Sequence, residues 1–243
     1  MPEVFPERDC WYHVAPVFLL PSILSDGGLR CGADIEKSGM PRRPSSRSYD
    51  DKRLTGLDDM RPSDCLLLFS KRNSPLLLDK LAKTRAGPWK SFPHVELEFR
   101  AGQCLNEALR VFGSVDNVGR ALRKGSVPSF QVYTSYLAVK HDKVQEILIP
   151  ATSLPNRILE LKFVQRVLCF SQADKDLVEQ LHQHFEVQLV AELSPKDKYI
   201  NGQTCEPGSA HLEKTRKLIE AVLEGDARLQ RRLGKELAAD CFD

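Results

Sequence analysis

The chain has 243 residues, with 35 basic and 33 acidic side chains and a formal net charge of +2. Its 42% hydrophobic and 28% charged content is typical of a globular protein that buries a core without disulfides or a structural metal. The seven cysteines are far apart and form no CxxC pair, which excludes a disulfide scaffold and a zinc ribbon. We therefore expect no metal cofactor.

Charge is unevenly distributed along the chain. Residues 37–145 hold 20 basic and 11 acidic side chains. This excess suits a polyanionic partner or a phosphate-bearing substrate, and it is also compatible with an ordinary solvated surface. No apolar stretch approaches the roughly 20 residues that span a bilayer, and the first residues lack the basic and apolar regions of a secretory signal. We expect a cytoplasmic protein with no membrane partner.

The first half of the chain predicts alternating strands and helices. Residues 10–14 are aromatic and β-branched and predict a strand, and a short helix follows with Pro21 in its first turn and Gly27 after its end. Residues 30–61 are rich in Gly, Pro, Ser, Arg and Asp and predict a long loop. Residues 65–70 then predict a buried strand, and 74–84 predict a helix.

The second half predicts further strands and then a helical end. Strands are predicted at 94–99, 131–139 and 144–149, helices at 105–111, 117–122 and 174–184, and extended segments at 163–170 and 186–193. His94, Glu96 and Glu98 share one strand face, which we expect to be exposed, and His182 and His184 are expected at the surface. These elements predict an α+β domain over residues 1–200, a polar linker over 201–209 and an amphipathic helical tail over 210–243, interrupted near Gly225.

Two residues stand out as candidates for chemistry. Glu146 falls between Val144 and Leu148 on one face of a predicted strand, where a carboxylate needs a partner, a raised pKa or a function. The alternative is a carboxylate at the strand end that reaches water. His13 lies on the first predicted strand, and it is either a hydrogen-bonded core residue or a ligand contact.

The long loop and its surroundings supply candidate phosphate ligands. Guanidinium groups bind phosphate in a bidentate manner, so the arginines here point to nucleotide or nucleic-acid binding, although plain disorder explains them as well. They are Arg42, Arg43, Arg47, Arg53, Arg61 and Arg72. The chain has no GxGxxG, GxxxxGK[ST], HExxH or GxSxG motif, which disfavours Rossmann, P-loop, zinc-protease and serine-hydrolase chemistry.

Taken in order, several segments resemble the DarT toxins. These segments are Tyr12-His13, LPSIL at 20–24 with GGL at 27–29, a basic loop ending at Arg53, LLLFSKRNSPLL at 66–77 and QEIL at 145–148. DarT proteins are ADP-ribosyltransferases that use NAD+ to modify bases of single-stranded DNA. The resemblance covers about residues 10–200, and it implies an ADP-ribosyltransferase-like split β-sheet core with flanking helices. The helical tail lies outside it.

The resemblance also implies roles for individual residues. Glu146 matches the catalytic glutamate, and Arg53 matches an arginine that grips NAD+ phosphate near the reacting centre. His13 matches a histidine that contacts the NAD+ ribose, and Tyr49 is a neighbour that stacks on the cofactor. Phe69 and Arg72 match the aromatic and the arginine of the family's F-x-x-R-S-P segment, although Asn73 is an insertion here. The positive residues Arg42, Arg43 and Arg47 are then assigned to nucleic acid.

The expected function is thus an NAD+-dependent transfer of ADP-ribose to a base of single-stranded DNA, by a toxin or anti-phage effector with a macrodomain antitoxin as partner. No metal is required for this reaction. Two alternatives stay open from the residues: an NAD+-dependent transferase that acts on RNA, and a non-catalytic nucleic-acid-binding module. A third possibility, a scaffold that docks partners through its C-terminal amphipathic helices, could coexist with either. The simplest test that separates a transferase from a pure binding module is the addition of NAD+, because a pure binding module does not respond to it.

Overall fold

The computed structural model describes residues 10–37, 60–70, 93–100, 110–115, 129–134, 136–193 and 209–242. These residues form ten strands: β1 (Cys10–Pro16), β2 (Gly28–Arg30), β3 (Cys65–Phe69), β4 (His94–Arg100), β5 (Val111–Ser114), β6 (Gln131–Tyr133), β7 (Glu146–Pro150), β8 (Ile158–Glu160), β9 (Val164–Cys169) and β10 (Val190–Leu193). They also form six α-helices: α1 (Leu20–Ser25), α2 (Gly32–Lys37), α3 (Tyr136–His141), α4 (Gln172–His184), α5 (Ser209–Leu223) and α6 (Ala227–Phe242).

The chain divides into two compact units. The first comprises Met1–His13, Gly28–Arg72 and Phe99–Phe163, and the second comprises Val14–Gly27, Asn73–Glu98 and Val164–Asp243. The predicted division into a domain, a linker and a tail at residues 200 and 210 stays a prediction.

The first unit contains an antiparallel sheet with the strand order β1-β3-β7-β5-β6. Strand β7 lies between β3 and β5 and is buried along its whole length, because both of its faces are apolar apart from Glu146. One face carries a core cluster of Cys65, Phe112, Phe130 and Leu148. A second, two-stranded sheet pairs β2 with β8.

Gly28 is the residue that makes the pairing of β2 with β8 possible. It lies opposite Glu160, and a Cβ atom at this position would collide with the backbone carbonyl of Leu159. Gly27, one residue earlier, has a φ of 74° and ends the short helix α1 in the left-handed conformation that glycine adopts without strain.

In the second unit the strands β10, β9 and β4 are neighbours in that order, and helices lie beside them. Strand β10 runs parallel to β9, and α4 connects them. Ser171 caps α4 by accepting a hydrogen bond from the backbone N–H of Asp174 at 3.0 Å, and the Asp174 carboxylate accepts one from the backbone N–H of Ser171 at 3.1 Å. Helices α5 and α6 pack on each other, and both contact the 3₁₀ turn Val17–Leu19.

Most of the predicted elements that the structure describes are confirmed, and so is the α+β class. The predicted helix 74–84 and the predicted helix 117–122 lie outside the described residues. Three assignments were wrong. Val111 begins a strand rather than ending a helix, and the predicted strand 131–139 ends at Tyr133, where the chain turns into α3. The segment 30–61 was predicted to be a loop throughout, but helix α2 lies near its start.

Candidate active site

A row of four side chains crosses the sheet of the first unit. Phe69 pairs with Glu146 across β3 and β7, Glu146 pairs with Ser114 across β7 and β5, and Tyr12 pairs with Phe69 across β1 and β3. Residues that lie opposite each other in adjacent strands point to the same face of the sheet. Tyr12, Phe69, Glu146 and Ser114 therefore stand side by side on one face.

The row lies at the end of its strands. Phe69 is the last residue of β3, Ser114 the last of β5 and Glu146 the first of β7. Backbone hydrogen bonds from the N–H of Ser70 to the carbonyl of Gln145, at 2.9 Å, and from the N–H of Gln145 to the carbonyl of Ser114, at 2.8 Å, extend both pairings by one residue. The backbone that carries Glu146 is thus held on both sides.

The side chain of Glu146 is buried. Its side chain is 3% exposed, so the alternative of a strand-end carboxylate that reaches water is excluded. Leu148, two residues along β7 on the same face, belongs to the core cluster with Phe112, and Ser114 and Tyr12 are 1% and 3% exposed. A charge in such surroundings acts more strongly than in water, because the local dielectric constant is low.

His13 follows Tyr12 on β1 and is tied to β3. Its ring Nδ1 lies 2.9 Å from the carbonyl oxygen of Leu67, and since a carbonyl only accepts, Nδ1 carries the proton in this contact. In the neutral ring the other nitrogen, Nε2, is then an acceptor. Leu67 is two residues from Phe69, so this contact lies about 7 Å along β3 from Phe69, which pairs with Glu146.

Of the residues that the sequence predicts for the site, the structure thus places His13, Phe69 and Glu146 on three adjacent strands. The remaining predicted site residues, Arg42, Arg43, Arg47, Tyr49, Arg53 and Arg72, lie outside the described residues. Tyr12 and Ser114 belong to the row and were not predicted as site residues. Nothing in the sequence indicated that Ser114 lies at the site, because the residues before it were predicted to form a helix rather than a strand.

A second polar cluster, in the same unit, holds α2. Arg157 donates hydrogen bonds from Nε and Nη2 to the two carboxylate oxygens of Asp34, at 2.9 and 3.1 Å, and the Cys31 thiol donates to the same carboxylate at 3.3 Å. The Arg157 hydrogen bonds hold the pKa of Asp34 below its usual value, and burial raises the pKa of the Cys31 thiol. Cys31 is therefore a structural thiol rather than a reactive one.

The face of β4 that we expected to be exposed is buried. His94, Glu96 and Glu98 are 2%, 0% and 1% exposed, so the prediction was wrong. Arg166 on β9 explains the burial of Glu98, since its guanidinium donates to both carboxylate oxygens at 2.9 and 3.0 Å and to Glu192 at 2.9 Å. These bonds, led by the one to Glu98, raise the pKa of Arg166.

Within the described ranges there is neither a metal site nor a membrane-spanning helix. No three His, Cys, Asp or Glu side chains there are grouped in a way that could hold a metal ion. None of the helices formed by those residues is long and apolar enough to cross a membrane.

Known structures match this fold. The DarT of Thermus sp. 2.9, solved with ADP-ribosylated single-stranded DNA, matches with a TM-score of 0.57 and 15% identity, over 82% of this chain and 100% of that chain. The same protein solved with carba-NAD+ matches at 0.55 and 15% identity, over 81% of this chain and 100% of that one. Its complex with NAD+ matches at 0.52 and 14% identity, over the same shares of the two chains.

These matches establish the fold, which is that of the DarT ADP-ribosyltransferases, as the sequence predicts. No protein-family model and no curated protein sequence matches this chain.

Proposed function

We propose that this protein is an NAD+-dependent ADP-ribosyltransferase that attaches ADP-ribose to a base of single-stranded DNA. The observation that carries the proposal is the position of Glu146, a buried carboxylate at the start of β7, in register with Phe69 and Ser114. The likeness to the Thermus structures, which hold NAD+ and ADP-ribosylated single-stranded DNA, supports it.

The residues of the row fit an NAD+ substrate. The Glu146 carboxylate, with Phe69 beside it and Tyr12 next to Phe69, offers a negative charge and π faces, which suit a cationic nicotinamide ring and its ribose. His13 follows Tyr12 on β1, so its side chain points to the other face of the sheet, and its assignment to the NAD+ ribose rests on the resemblance to the DarT family. The residues outside the described ranges that complete the proposed site are Arg53, Arg72 and Tyr49 for NAD+, and Arg42, Arg43 and Arg47 for DNA.

The chemistry that Glu146 would perform follows from its charge. When the bond between nicotinamide and ribose breaks, positive charge develops on the sugar, and a fixed anion in a low-dielectric site stabilises that charge. The same carboxylate accepts a hydrogen bond from a ribose hydroxyl, and it takes the proton of the attacking base nitrogen if that nitrogen comes within hydrogen-bond reach. Arg53 would neutralise the diphosphate of NAD+.

An unpaired DNA strand suits this reaction because the attacking atom of a base is not accessible inside a stacked duplex. The basic excess of residues 37–145 fits a strand of phosphates. We extend the proposal to a toxin or anti-phage effector of the cytoplasm, with a macrodomain antitoxin as its partner, on the resemblance to the DarT family.

The experiment that tests this proposal offers several acceptors to the protein. The purified protein and NAD+ labelled in its adenylate are incubated together in separate reactions, each of which contains single-stranded DNA, duplex DNA or RNA of the same sequence. We expect label on single-stranded DNA. Label on RNA alone would replace the proposal with the RNA-directed transferase, and nucleic-acid binding with neither NAD+ binding nor hydrolysis would replace it with the non-catalytic module.

A further inference from the structure

The outward face of α6 carries a stripe of positive charge. Arg228, Arg231, Arg232 and Lys235 are all exposed, and their spacing of i, i+3, i+4 and i+7 places them on one side of the helix. At 3.6 residues per turn they fall within an arc of about 100° and extend over about 10 Å. The opposite side of α6, with Leu233 and Leu237, is buried.

The acidic residues of α6 neutralise only part of this stripe. Asp240 and Glu236 approach Lys214 of α5, with N···O distances of 2.7 and 4.0 Å. Asp226, before the helix, accepts hydrogen bonds from the backbone N–H groups of Arg228 and Leu229 at 3.1 and 2.9 Å. Among the stripe residues, Arg232 lies 3.9 Å from Glu236.

Arg228, Arg231 and Lys235 thus make no salt bridge with the part of the chain that the structure describes. Their arrangement also opposes helix stability. Like charges at i, i+3 and i, i+4 repel each other, and a positive side chain in the first turn, such as Arg228, opposes the helix dipole. A helix that served only as a solvated surface would be more stable with charges of both signs at these positions. Such i, i+4 pairs are formed elsewhere by Lys175 with Glu179 and by Lys217 with Glu213.

We propose that this basic face of α6 binds the sugar-phosphate backbone of single-stranded DNA, and the identity of that ligand rests on the proposed function. A nucleic-acid strand carries one phosphate per 3.4 Å in a duplex, so about 10 Å of helix faces about three phosphates. Side chains of this kind hold phosphates without reading bases. The face would retain the substrate strand independently of base sequence.

The test compares two triple variants with the same loss of charge. The first is R228Q/R231Q/K235Q. The control is K162Q/K175Q/K217Q, whose three lysines are each 3.0 to 3.5 Å from a glutamate. The dissociation constant for a 20-nucleotide single strand is measured over a range of NaCl concentrations without NAD+, so that no transfer takes place. Thermal unfolding is followed for both variants.

For the stripe variant we expect weaker binding and a salt slope, log K against log [NaCl], that is smaller by about 2, because each phosphate contact to a single strand contributes about 0.7. The control variant should keep the wild-type slope. The unfolding temperature of the stripe variant should stay the same or rise, since like-charge repulsion is removed.

An unchanged affinity and salt slope in the stripe variant would overturn the inference. The result is separable from the proposed function. If the wild type transfers ADP-ribose to DNA while the stripe variant binds normally, the inference fails and the function stands. If the stripe variant binds DNA weakly while no transfer is detectable in the wild type, the inference stands and the function fails.

Discussion

Phe69 and Glu146 face each other across two antiparallel strands, at the residue where β3 ends and β7 begins. Glu146 is held there from both sides, since β5 pairs with it through Ser114. Because the strand is paired on both sides, the strand end that carries this carboxylate cannot turn outward into solvent. The backbone that carries this carboxylate is fixed before any substrate binds, as the proposed electrostatic stabilisation of a transition state requires.

The pairing of Arg157 with Asp34 makes a pH-dependent contribution to stability. The pKa of Asp34 is lowered in the folded protein, so the stability it adds is present above its unfolded value of about 3.9 and is lost as the pH falls through the folded pKa. Because Arg157 is 39% exposed, we expect Asp34→Asn to cost only about 0.5–1 kcal/mol at pH 7.

Urea denaturation at pH 7 and at several values between 5 and 3 measures this contribution. The difference between wild type and Asp34→Asn should shrink toward the acid end of the series. Glu179→Gln, which removes a surface carboxylate paired with Lys175, serves as the control. A difference that stays constant over the whole range would contradict the linkage.

Arg166 offers a matched comparison of two carboxylates on one guanidinium. It bonds Glu98, whose side chain is 2% exposed, and Glu192, whose side chain is 45% exposed. Loss of a hydrogen bond to a charged group at the buried position should cost about 1.5–3 kcal/mol, so we expect that cost for Glu98→Gln. Glu192→Gln should cost less than about 1 kcal/mol.

Chemical denaturation of the two single variants at pH 7 gives both free energies of unfolding. The double variant then measures how strongly the two carboxylates are coupled through Arg166. Equal losses for Glu98→Gln and Glu192→Gln would mean that burial does not determine the strength of this network.

His182 is expected to make the protein less stable in mild acid. It is 7% exposed rather than at the surface as its sequence position indicated, and its burial lowers the pKa of the imidazole. A histidine whose folded pKa is lowered adds full stability above its unfolded value of about 6.5 and loses it as the pH drops below that value. One such proton contributes up to about 1.4 kcal/mol per pH unit.

The measurement is the free energy of unfolding from pH 7.5 to 5 for wild type and His182→Gln. The variant should show a shallower decline below pH 6.5. The pKa of His211 is lowered by burial as well, so His211→Gln is measured in parallel to separate the two contributions. A decline that is equally steep without either imidazole would contradict the assignment.

Local sequence patterns predicted those strands and helices whose formation depends mainly on residues close together in the chain. The apolar run around Ile147 predicts β7, and Gly225, with a φ of 75°, separates α5 from α6 where the sequence indicated a break. The burial of Glu98 could not be predicted in this way, because its partner Arg166 is 68 residues away in the chain. The same limit applies to the row at Glu146, since strand register depends on four separate segments that no local pattern relates.

The most direct test of the account is the transfer of label from NAD+ to single-stranded DNA by Glu146→Gln. The substitution keeps the shape of the side chain and removes its charge, and Glu146→Asp, which keeps the charge, is measured beside it. Circular dichroism and thermal unfolding establish whether each variant is folded, and Glu213→Gln on the exposed side of α5 is the control. If Glu146 supplies the stabilising charge, the folded Glu146→Gln variant should lose at least about 100-fold in kcat. Retention of kcat within a few-fold of wild type, in a folded Glu146→Gln protein, would contradict the central claim.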